Sequence, residues 1–132
     1  MDSRNQYIKG FRGDAIGIVN AESSSEEFFQ NQTLRPILKL QNDLFIEVCK
    51  NYIVKSKTDF QQLSTDKKLK FIENSVQKDI KFRNSLKGIV IGLYTIDEYL
   101  LYTQNSSALN KRMLSMLIER LKSQMQLFDD LV

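Results

Sequence analysis

Apolar positions along the chain set an irregular beginning against a long helical remainder. Up to residue 24 the apolar residues never hold a 3.6-residue period, Gly10, Gly13 and Gly17 interrupt them, and a Ser23-Ser24-Ser25 run closes the stretch. This predicts a flexible N-terminal arm over residues 1–24 and a helical-bundle domain over 25–132. The apolar patch at 15–19 is expected to add a short strand or to dock on a partner.

Ser24 or Ser25 followed by Glu26 and Glu27 has the form of a helix start, an oxygen cap with acids at the positive end of the dipole. Pro36 either kinks this helix or opens a second segment as an early-turn proline. Beyond it Ile37, Leu38, Gln41, Leu44, Phe45, Val48 and Tyr52 recur at helical spacing up to an end near Lys55 to Lys57. A connector over 58–64, pinned by Phe60 and Leu63, leads to a cap at Ser64 or Thr65. Leu69, Ile72, Val76, Ile80, Leu86, Ile89, Val90 and Leu93 then predict one helix of six or seven turns, with Gly88 and Gly92 as a strip that lets another helix approach.

Thr95-Ile96-Asp97-Glu98 fits a capping box and starts a short helix over about 95–104. Asn105-Ser106-Ser107 caps the last helix, which runs to about Phe128. Its apolar residues cover more than half of its circumference, so it is either central or shared with a second subunit. Together the pattern predicts an all-α fold, a four or five helix antiparallel bundle with short connections.

Composition agrees with a single globular domain. Of the 132 residues, 42% are hydrophobic and 27% charged, with five glycines, one proline and no tryptophan. The one cysteine, Cys49, has no intramolecular partner, and neither a signal-like segment nor a membrane span is present in the sequence, which points to the cytoplasm. The net charge of +3 is mild, but its distribution is uneven: from Lys50 to Lys87 ten basic residues face four acidic ones. Lys67, Lys68, Lys70, Lys78, Lys81 and Lys87 are therefore candidates for phosphate contacts with nucleic acid or another polyanion. Asp66, Glu73 and Asp79 interleave with them, as on a solvated helix face.

Histidine is absent, which excludes Ser-His-Asp and Cys-His catalysis together with His-bearing zinc and di-iron sites. No phosphate-binding glycine loop occurs, no cofactor is expected, and Cys49 beside the apolar stripe of its helix reads as a packing residue. The chemistry left is that of arginine, tyrosine and helix-terminal amides. Arg83, Tyr94, Tyr102 and Arg112 are the candidates for a ligand-binding cleft, with Arg83 otherwise expected to pair with Glu98 or another acid.

The segments 31–39, 81–88 and 105–113, Asn-Gln-Thr-Leu-Arg-Pro-Ile-Leu-Lys, Lys-Phe-Arg-Asn-Ser-Leu-Lys-Gly and Asn-Ser-Ser-Ala-Leu-Asn-Lys-Arg-Met, resemble a group of short uncharacterised bacterial helical proteins, some of which carry a glyoxalase label. The resemblance implies a bacterial, cytosolic protein. It transfers no catalytic residue, because glyoxalase I types use paired βαβββ modules with a His- and Glu-held metal and glyoxalase II types a His-rich dinuclear centre. The leading expectation is thus a non-enzymatic module that binds protein, first of all itself as a homodimer, through the Tyr94 to Tyr102 region and the last helix, with Leu114, Ile118, Leu121 and Met125 as its interface residues. Polyanion binding and small-molecule binding are the two other expectations.

Overall fold

The computed structural model describes residues 2–20 and 24–129, and every regular element among them is helical. The first departs from expectation. Helix α1 covers Asp2–Arg12, within the stretch read as an irregular arm. Its docked face is polar, built by Arg4, Asn5 and Arg12, while Tyr7 and Phe11 point outward, so apolar periodicity does not reveal it. The patch at 15–19 forms no strand; the Ile16 amide donates to the Asn31 carbonyl at 2.9 Å, and the segment lies against its own chain.

Helix α2, Ser25–Phe29, is capped by Ser24, whose hydroxyl accepts from the Glu27 amide. It passes through a π-helical turn, Gln30–Leu34, into α3, Arg35–Leu40. The proline carries no N–H and its ring collides with the carbonyl four residues back, and the wider turn just before it accommodates both. Pro36 therefore stands in the first turn of α3, the second of the two expected roles. Helix α4, Asn42–Lys55, ends where Lys57 takes a left-handed φ of 61°. A 3-10 turn at Phe60–Gln62 follows, with Phe60 buried as the pin of the connector.

The long helix expected from Ser64 to Leu93 is two. Helix α5 covers Thr65–Lys78 and α6 covers Ile80–Ile91. Asp79 between them is extended, and its carboxylate accepts from the Phe82 amide as a new N-cap. An aspartate that can cap competes with helix continuation, and Ile80, counted on the core face, is 61% exposed. Gly88 and Gly92 are exposed and open no helix crossing; an added Cβ at Gly88 would meet nothing within 4 Å.

Helix α7, Ile96–Gln104, carries the complete capping box of Thr95 and Glu98. Helix α8, Ser106–Ser123, starts at Asn105, whose side chain makes no capping bond, and ends in a 3-10 turn at Met125–Phe128. Leu109, Met113, Leu117, Ile118 and Leu121 of α8 are buried, and α5, α6, α7 and the π turn all pack on this helix. Cys49 is buried in the same core, where loss of water pushes its thiol up to about 12.

Candidate functional site

Two consecutive phenylalanines in α2 divide between inside and outside. Phe29 is buried, its ring edge-on to Tyr94 at 5.4 Å between centroids, while Phe28 is 43% exposed. Opposite them lie Leu101, 55% exposed near the end of α7, and Leu109 in the first turn of α8. These four side chains wall a cleft of about 680 Å³ with Glu26 and Gln104 among its polar lining. That size lies in the usual range of binding pockets. Tyr99 and Leu100 of α7 are exposed as well but do not line the cleft.

A buried polar knot fixes the elements around this cleft. The two terminal nitrogens of Arg12 meet the two carboxylate oxygens of Glu98, with Nη2 to Oε2 at 2.8 Å. The Thr33 hydroxyl donates to Glu98 Oε2 at 2.7 Å, and the Thr95 amide donates to Oε1 at 2.8 Å. Burial alone would push the Glu98 carboxyl upward, but the Arg12 hydrogen bonds, the Thr95 amide and the Thr33 hydroxyl outweigh it and hold the group below its usual value. Arg12 also donates to the carbonyls of Leu93 and Gln32, so one side chain joins α1, the π turn and the start of α7. Arg4 adds bonds to the Gly92 and Tyr94 carbonyls, and Asn5 accepts from the Ile96 amide.

The side chains expected to form a ligand cleft are dispersed. Tyr94 and Tyr102 are in edge contact at 5.6 Å but are buried, 1% and 7% exposed, inside the core. The Tyr102 hydroxyl donates to Asn110, whereas the Tyr94 hydroxyl has no partner among the described residues and burial pushes it well above the usual phenol range. Arg112 bonds Gln30. Arg83 donates to the Gln77 carbonyl rather than to Glu98, whose oxygens are taken by Arg12. The cavity that Arg83 lines contains none of the other three.

The expected interface also changes. Ile118, Leu121 and Met125 are 5%, 1% and 9% exposed, enclosed by the chain's own helices, and only Leu114 is half-buried. The wide apolar girth of α8 reflects a central position. Of the basic candidates, Lys67, Lys70, Lys78 and Lys81 are exposed and Lys87 is half-buried on α5 and α6. Lys68 instead reaches Asp129 at 3.6 Å and lies over the Phe60 ring.

Sequence periodicity missed Phe28 and Leu101 because each neighbours a core residue and passes for part of the same apolar run. It missed Arg12 because charged residues carry no burial signal. Among the described residues no group of three potential metal ligands occurs, and no helix is long and apolar enough to cross a membrane. No protein-family model matches the chain, and neither does any curated protein or solved structure.

Proposed function

We propose that this chain is a cytoplasmic, non-enzymatic interaction module, an antiparallel helical bundle that pairs with a second copy of itself through the cleft between α2 and the α7–α8 corner. The observation that carries this reading is the apolar wall of Phe28, Phe29, Leu101 and Leu109, with Phe28 and Leu101 half open to water. Exposed apolar surface gathered in a cleft marks interaction sites. Glu26 of the cleft lining forms no ion pair among the described residues. A two-fold pairing would set the same apolar patch of each copy against the other.

Sedimentation equilibrium tests the reading. The chain is expected to dimerise at micromolar concentration, and Leu101→Asp is expected to return it to monomer. Leu44→Asp, on an exposed face of α4, is expected to leave the dimer intact. A strict monomer at high micromolar concentration, or equal dissociation by both variants, overturns the assignment.

A further inference from the structure

A second concavity, of about 610 Å³, opens between α3 and α8 on an independent set of residues. Its floor is apolar, Leu38 and Met116, and Arg35 and Arg120 stand at its walls with Ser115 and Ser123. Four cations elsewhere are paired with acids, Arg12 with Glu98, Lys50 with Glu47, Lys68 with Asp129, and Lys122 with Glu73 and Glu119. On this face Arg35, Lys39, Arg112 and Arg120 have no carboxylate of the described residues within 4.0 Å. The one acid of the wall, Glu119, is drawn to Lys122.

Two of these guanidinium groups are nevertheless held in place by neutral partners. Arg112 donates to the Gln30 amide oxygen at 2.8 Å. Arg120 donates to the Asn42 amide oxygen at 3.4 Å, and that oxygen is already engaged by Gln124 at 2.7 Å, while Asn42 returns a bond to Gln124 at 2.8 Å. An amide acceptor orients a guanidinium without neutralising it, so the remaining N–H groups stay available to an anion. Arg112, Met116 and Arg120 repeat every four residues and share one face of α8, and Lys39 follows Arg35 by one turn of α3.

We propose that the groove between α3 and α8 binds a small multivalent oxyanion, phosphoryl or carboxylate, gripped between Arg35 and Arg120 above the Leu38–Met116 floor. A guanidinium offers paired donors to either kind of oxygen pair, and the apolar floor suits a ligand whose charged group is joined to a short apolar body. On α5 and α6, Lys67, Lys70, Lys78 and Lys81 stand exposed, and none of them lines the groove between α3 and α8.

Calorimetric titration of the whole chain at low ionic strength, with pyrophosphate in one arm and citrate in the other, separates the outcomes. Saturable binding at one site per chain is expected in at least one arm, and the stronger arm identifies the anion class. Arg35→Gln and Arg120→Gln are each expected to weaken it by about ten- to a hundredfold, the worth of a charge-assisted hydrogen bond, whereas the double variant Lys67→Gln/Lys70→Gln retains it. Arg35 is exposed and makes no side-chain bond among the described residues, so its variant folds whatever Arg120 contributes. No saturation in either arm, or a loss in the lysine variant equal to that in the arginine variants, overturns the proposal.

Discussion

Arg12 and Glu98 face one another end to end, both nitrogens on both oxygens, with 3% and 11% of their side chains exposed. The two partners are not equally replaceable. Glu98 also closes the capping box of α7 and accepts from Thr33, so Glu98→Ala strips three elements at once and is expected to cost about 3–5 kcal/mol, as for other broken buried pairs. Arg12 sits at the end of a helix that can leave. Arg12→Ala is expected to release α1 rather than unfold the chain, since the abandoned carboxylate regains water. Hydrogen exchange checks this: residues 2–12 lose protection in the arginine variant with a small change in Tm, whereas the glutamate variant lowers Tm throughout.

The same pair makes stability depend on pH in a defined direction. The folded-state value of Glu98 lies below its ordinary 4.5, so the unfolded chain binds the proton first as pH falls. The contribution is complete above 4.5 and is lost as pH drops through the folded value. Asp79 acts in the same sense from 3.8, because the Phe82 amide and the Tyr52 hydroxyl favour its charged form. Melting temperature is expected to be level from neutrality down to about pH 5 and to fall below it. Glu98→Gln starts lower and falls less steeply; an unchanged acid slope in that variant would remove Glu98 from the account.

Much of the fold was legible because the core of α3 to α8 obeys the 3.6 period, and the Thr95–Glu98 box was readable at its true position. Asp79 was not, since Ile72 and Val76 before it and Phe82, Leu86 and Val90 after it fill one core and mimic one helix across the break. Helix α1 escaped for a different reason. It is held by Arg4, Asn5 and Arg12, and periodicity of apolar residues cannot register a helix whose buried face is polar. At the cleft, Phe28 and Phe29 are chemically identical, and only the direction in which α2 packs decides which one is left at the surface.

Tyr94 presents an unusual buried group, a hydroxyl without a partner among the described residues, on a residue 1% exposed. A polar group buried without a bond carries a desolvation cost of about 1–3 kcal/mol. Its ring, by contrast, packs edge-on to both Phe29 and Tyr102. Tyr94→Phe keeps the rings in contact and removes the orphan, so it is expected to be neutral or stabilising in urea unfolding. Tyr94→Ala is expected to lose about 3–5 kcal/mol through the cavity it leaves.

Two glycines seven residues apart are expected to respond to alanine with opposite signs. Gly10 lies inside α1 with nothing within 4 Å of an added methyl, so Gly10→Ala gains about 1 kcal/mol of helix preference and tightens α1. Gly17 has φ of +102° and an added Cβ would come within 2.9 Å of the Asn31 side chain. That side chain is itself committed, since its amide donates to the Ile18 carbonyl at 2.9 Å. Gly17→Ala must therefore strain the backbone and displace the group that ties residues 16–18 to the π turn, at a cost of about 1–2 kcal/mol or more. Amide exchange of α1 and of the 16–18 segment reads both changes: slower in the first variant, faster in the second. Equal protection in the two variants would mean that Asn31 does not hold this segment.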